Sequence, residues 1–262
     1  MPDVTQRPKP FADYLSSLFE SVRPPDRDTP YSSKEVVERI EEIGGSISNA
    51  YLSQMRRGLR DNPTLTQIEY LGAVFGKHPA FFFGGRQDRG DLDPDRSQIS
   101  ARLNFLFAEI PAPGRRGERT YDDVLGAIRS RADELGDPAW RISTETLTEL
   151  RRDPNPNPTW KCLHALAGAF HVKPAYFVDA ELASRIQEQI LTAKQLRRLG
   201  IARLAARAPD SGAPLSDQAR ESLVRELVKA LPSLGISKQE LRDALDEPDH
   251  PPDANDPPST TG

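Results

Sequence analysis

This chain of 262 residues has one cysteine, only four histidines and no long apolar run. Its single cysteine, Cys162, excludes an intramolecular disulfide and a cysteine-cluster zinc site. Placed between Trp160 and Leu163 in a helical pattern, Cys162 is expected to be a small buried hydrophobe. The four histidines, His78, His164, His171 and His250, stand singly, and no nucleophile-elbow or phosphate-loop sequence is present. No catalytic residue, metal site or cofactor is therefore expected. No stretch approaches the roughly 18 apolar residues of a membrane span, and no signal pattern opens the sequence. The expected place is the cytoplasm, without a membrane partner. Excess positive charge is lacking too, at a formal −4, which at first argues against nucleic acid. The average is set by the tail: Asp246–Gly262 carries five carboxylates and no Lys or Arg, leaving +1 for the remainder.

What is there is a repeat. Ile47-Ser48-Asn49-Ala50-Tyr51-Leu52-Ser53-Gln54-Met55-Arg56-Arg57 aligns with Ile142-Ser143-Thr144-Glu145-Thr146-Leu147-Thr148-Glu149-Leu150-Arg151-Arg152, an offset of 95 residues. The register continues through Asn62-Pro63-Thr64 on Asn157-Pro158-Thr159 to Pro79-Ala80-Phe81-Phe82 on Pro174-Ala175-Tyr176-Phe177. Upstream, Leu15, Leu18 and Phe19 match Leu103, Leu106 and Phe107 at an offset of 88, so the second repeat carries seven extra residues within Ser130–Arg141. Each unit is long enough for its own small core, so two related domains are expected rather than a solenoid.

Apolar spacing places helices throughout, and the fold class is all-α. Phe11, Leu15, Leu18, Phe19 and Val22 form one stripe that Pro24-Pro25 ends. Ser32 and Glu35 make a capping box before Val36, Val37, Ile40 and Ile43, and Thr120 and Asp123 repeat the device before Val124. Gly44-Gly45 allows the tight turn into a third helix capped by Ser48, Gly58 ends it, and Thr64 caps a fourth. The expected organisation is a disordered start (1–10), a first domain (11–85), a flexible linker (86–98 within Gly84–Gln98), a second domain (99–180), a helical module (181–245) and a disordered acidic tail (246–262). In the module, Leu182, Ile186 and Ile190 on a helix over Glu181–Leu199, then Ile201–Ala208, then Leu223, Leu227 and Leu231 on Ser216–Leu231, make stripes on too few helices to bury one another. Their expected partner is a second copy of the chain, giving a homodimer.

At 100° per residue, Leu52 and Met55 point inward while Ala50, Ser53, Gln54 and Arg57 share the opposite face. Gln bonds adenine bidentately, Arg bonds guanine, and serine bonds bases or phosphate, so this face suits the major groove of double-stranded DNA. Ser48, Asn49 and Tyr51 at its start and flank, with Arg56 and Arg60 beyond, complete the candidate DNA-binding set. In the second repeat Ala50 becomes Glu145 and Gln54 becomes Glu149, which turns two carboxylates toward a phosphate-lined groove. That repeat is expected to keep the frame without reading.

The run Ser48–Gly58, then Asn62-Pro63, then Phe75 with Pro79-Ala80-Phe81-Phe82, resembles the Xre/lambda-repressor class of helix-turn-helix domains. It resembles more narrowly a mycobacterial branch with an extended loop after the first helix, here Arg23–Tyr31. Ile201–Ala208 through Leu231 resembles that branch's dimerisation helices. The resemblance implies two tandem helix-turn-helix domains with a C-terminal dimerisation module, in a sequence-specific transcriptional regulator that can be nucleoid-associated, with Tyr51, Gln54 and Arg57 as readers. Two other readings stay open: a protein-interaction adaptor, and a regulator gated by an unknown small-molecule effector held near Trp140 and Trp160.

Overall fold

In the computed structural model the described residues are 8–86, 88, 96–112 and 118–205. Every regular element among them is helical. The first repeat holds α1 (Phe11–Ser21), α2 (Ser33–Glu42), α3 (Asn49–Arg56) and α4 (Leu65–Phe75), closed by a 3₁₀ turn at Pro79–Phe83. The second holds α5 (Ser97–Glu109), α6 (Tyr121–Leu135), α7 (Thr144–Arg152) and α8 (Trp160–Ala169), closed by a 3₁₀ turn at Pro174–Phe177. The extra residues of the second repeat lengthen α6 relative to α2 and add a 3₁₀ turn at Pro138–Trp140. A last helix, α9 (Ala180–Ala205), runs through Gly200 where two helices were expected; one glycine inside a helix costs only about 1 kcal/mol. No helix among the described residues is long and apolar enough to cross a membrane.

Both capping boxes form. Ser32 accepts from the Glu35 amide while Glu35 reaches back to the Ser32 amide, and Thr120 and Asp123 do the same. Glu35 also takes a hydrogen bond from Arg27, which with the cap amide lowers its carboxyl to a pKa of about 2. Cys162 is buried, and desolvation pushes its thiol up to about 12.

The cores of the two repeats meet. One contiguous buried cluster runs from Phe11 to Ala183, and both repeats fall in one compact unit ending at Lys194. The Asn-Pro-Thr segments join them. The Leu65 amide donates to the Pro158 carbonyl at 2.8 Å, and the Trp160 amide donates to the Pro63 carbonyl at 2.8 Å. The Thr66 amide donates to Asn157 Oδ1 at 3.0 Å, and the Lys161 amide to Asn62 Oδ1 at 2.8 Å. At the repeat offset, each bond of a pair is the image of the other. Thr64 and Thr159 form the antiparallel bridge at the centre, so the repeats are related by a local two-fold axis there. The physical cause is the helix start: the first amides of α4 and α8 have no partner within their own helix, and each helix supplies the other with acceptors.

Apolar packing follows the same seam. Phe11 stacks on Phe82 at 5.2 Å and meets Trp160 edge-on at 6.2 Å, and Trp160 Nε1 donates to the Phe82 carbonyl at 2.8 Å. Gly85 lies so close beneath Ala175 that an added Cβ would come within 2.7 Å of the alanine methyl. Lys161 is 4% exposed and pairs with Asp61 of the first repeat and Asp137 of the second, each at 2.7 Å. Burial alone would lower its pKa, but the two carboxylates outweigh burial and raise it. The segment expected to be a flexible separator is anchored at its far end, where Arg96 is ion-paired with Glu69 before α5 begins.

The start of α9 is likewise committed within the chain: Leu182, Ile186 and Ile190 are half-buried against the common core. Their stripe is therefore only partly free for a partner. Leu223, Leu227 and Leu231, like the start before residue 8 and the tail, lie outside the described residues.

Candidate nucleic-acid interface

Helix α2 ends at Glu42, Gly44 takes φ +81° in the turn, and Ile47 is buried before Ser48 opens α3. The Ser48 hydroxyl accepts from the Tyr51 amide at 3.1 Å. Leu52 and Met55 are fully buried, which fixes the roll of α3. Ala50 and Arg57 are then exposed and Ser53 and Gln54 half-exposed, as the helical spacing requires. Ser48, Asn49, Arg56 and Arg60 are exposed around them.

The polar groups are organised rather than free. Arg60 Nε donates to Gln54 Oε1 at 3.3 Å, which leaves the carboxamide NH₂ pointing elsewhere. Arg57 Nε donates to the Ser53 carbonyl at 3.3 Å, folding the guanidinium along its own helix. Arg56 lies over the Phe19 ring at 4.0 Å and donates to Ser33 Oγ at 3.2 Å. The Tyr51 hydroxyl bonds Gln67 Oε1 at 3.1 Å, and the same oxygen accepts from the Thr64 amide. Tyr51 thus braces α3 against α4.

Sequence reading missed Ser16. With Ser53, Arg56 and Arg57 it lines an open concavity of about 440 Å³ between α1 and α3. Its signal in the sequence is slight: a polar residue off the apolar stripe of α1.

In α7 the frame is the same. Ser143 accepts from the Thr146 amide, Leu147 and Leu150 are buried, and Arg151 lies over Phe107 at 4.2 Å, as Arg56 lies over Phe19. Its outward face carries exposed Glu145 and Glu149 instead of Ala50 and Gln54. The two tryptophans of the second repeat pack together. Trp140 and Trp160 meet at 5.9 Å, and His164 packs on Trp160 at 4.1 Å.

Together these features define an all-α protein that presents a short, serine-capped helix with a basic, hydrogen-bonding outward face. The chain belongs to the family of the nucleoid-associated protein EspR. It is 32% identical over 110 residues to EspR of Mycobacterium tuberculosis, strains CDC 1551 / Oshkosh and ATCC 25618 / H37Rv alike, a match covering 42% of this chain and 77% of EspR. No family model matches the chain.

Proposed function

We propose that the chain is a sequence-specific DNA-binding transcriptional regulator of the nucleoid in the cytoplasm, built from tandem helix-turn-helix frames, with α3 as its recognition helix. The observation that carries this is the outward face of α3: Gln54 and Arg57 beside Ser53, on a helix whose roll is locked by Leu52 and Met55. Gln54 reads a base edge, Arg57 unfolds from the Ser53 carbonyl toward guanine or phosphate, and Ser48 and Asn49 at the helix start face the backbone. Arg56, Arg60 and the Ser16 concavity form the phosphate-facing rim. Membership of a nucleoid-associated family supports this reading, and so does the loss of the same face in α7 where the frame is kept.

The test is binding of the full chain to random and selected duplexes across a salt series. Gln54→Ala is expected to cost about 1–3 kcal/mol on the preferred sequence and little on random DNA. An equal loss on both removes the base-reading role, and salt-independent binding removes the duplex itself as the partner.

Homodimerisation is part of the proposal, through the segment that follows the common core. Leu191 on α9 is 41% exposed, unlike the more buried Leu182, Ile186 and Ile190 before it. A chain ending at residue 190 is expected to be monomeric by light scattering. A truncated chain that still dimerises places the contact in the described body.

A further inference from the structure

The local two-fold between the repeats bears on what the reader can recognise. Four reciprocal hydrogen bonds and the Thr64–Thr159 bridge relate α4 to α8, and the same order of helices, with the Ser48 and Ser143 caps at equivalent places, precedes each of them. Helix α3 therefore has its image in α7 within one packed body. A pair of recognition helices related by a two-fold matches the two-fold of duplex DNA and takes inverted half-sites about one turn apart, roughly 34–36 Å. One chain thus has the symmetry of a dimer that reads a palindrome.

Its two faces are not alike. Where α3 offers Ala50 and Gln54, α7 offers exposed Glu145 and Glu149, which phosphates repel. The seam itself is also asymmetric: Lys161, paired with Asp61 and Asp137, occupies the position of Thr66 in the first repeat. Only Lys161 is buried there; Asp61 is half-exposed and Asp137 partly exposed, and this ion pair has no counterpart at Thr66.

We infer that the target of one chain is a single, non-palindromic half-site: the clasp holds α7 over the adjoining turn of the duplex, where its carboxylates refuse the inverted half-site. The inference rests on α3 being the reader and names the class of sequence that reader accepts. The second repeat then gives the protein a direction on DNA. It also prevents one chain from filling both halves of a palindrome, so that a second reading site needs a second chain.

The test uses the full chain and the variant Glu145→Ala/Glu149→Gln, which restores the first repeat's residues at two exposed positions. A half-site is first selected from random duplex with the unaltered chain, then presented alone and as inverted repeats with centres 9 to 13 base pairs apart. Stoichiometry is followed by sedimentation. The unaltered chain is expected to gain nothing from an inverted repeat when one chain is bound per duplex. The variant is expected to bind one spacing at least about 10-fold more tightly than the lone half-site, still as one chain per duplex. A variant that keeps half-site binding but gains at no spacing overturns the inference and leaves the role of α3 standing. A single unaltered chain that already prefers the palindrome overturns it as well. If the unaltered chain selects no sequence, the reading of α3 falls and this inference with it.

Discussion

The two repeats are a controlled comparison made within one molecule. Arg56 on Phe19 at 4.0 Å and Arg151 on Phe107 at 4.2 Å are the same contact, present whether or not the neighbouring face suits DNA. The same holds for Ser48 and Ser143 as caps, and for Leu52 and Leu147 in the core. What both repeats keep is frame. What only the first keeps is chemistry: Ala50, Gln54 and the Arg60 that holds Gln54, replaced by Glu145, Glu149 and Asn155. Arg56 thus has a structural duty beyond any phosphate contact, and the Gln54–Arg60 pair has no counterpart in the second repeat.

The comparison can be broken most forcefully at the seam. Trp160→Ala removes a fully packed indole and its bond to the Phe82 carbonyl, and is expected to cost about 3–5 kcal/mol. Because the core is shared, denaturant unfolding of residues 8–194 is expected as one transition with or without the substitution. Two separated transitions, only one of them shifted, would return the repeats to independence.

Next in size is a transplant of the second face onto the first. Ala50→Glu/Gln54→Glu leaves buried positions untouched, so stability should hold, while specific DNA binding is expected to fall more than 100-fold, about 3 kcal/mol. Retained affinity would mean that these positions do not meet DNA.

A third effect belongs to the second repeat. His164 is buried among Phe83, Trp140 and Trp160, its Nε2 has no hydrogen-bond partner, and desolvation pushes its pKa down to about 3. The unfolded chain protonates near 6.5, so this contribution is complete above that pH and is lost as pH falls toward 3. At pH 5 the loss is about 2 kcal/mol, in proportion to about 1.4 kcal/mol per pH unit. His164→Phe should flatten the stability profile between pH 6.5 and 5, and an unchanged slope would assign the acid sensitivity to other groups.

The smallest effect compares helix ends. Gly76 ends α4 at φ +64°, while its image His171 adopts φ +55° with an exposed side chain, a left-handed conformation that glycine takes at less cost. His171→Gly is expected to stabilise by about 1 kcal/mol in thermal melts. Gly76→His should cost a similar amount.

Much of the frame was legible because it is written in local chemistry. Capping boxes at Ser32 and Thr120, caps at Ser48 and Thr64, and the stripe of α1 each involve residues three or four apart. The roll of α3 followed from the same spacing, so the outward positions of Ala50, Ser53, Gln54 and Arg57 were accessible too. The seam was not, because Asn62-Pro63-Thr64 has an ordinary local meaning, a loop and a cap, that conceals its second partner 95 residues away. Gly85 carries no sign that Ala175 presses on it, and Leu182, Ile186 and Ile190 look unpartnered until the core that receives them is seen. The tie between Gln54 and Arg60 was equally invisible, since it crosses the end of a helix where periodicity stops.

The reciprocal seam also sets an order of events at the ribosome. The acceptors for the first amides of α4, Pro158 and Asn157, lie more than ninety residues downstream. At about 5–20 residues per second, Leu65 and Thr66 wait roughly 5–20 s for them. Through that interval the edges of Phe11 and Phe82 that Trp160 will cover stay bare. The nascent first repeat is thus a sticky half-product, for which the nearest matching surface in a polysome is the same half-product on the next chain. Slow elongation between Gly84 and Trp160 prolongs that exposure, and a fast one shortens it.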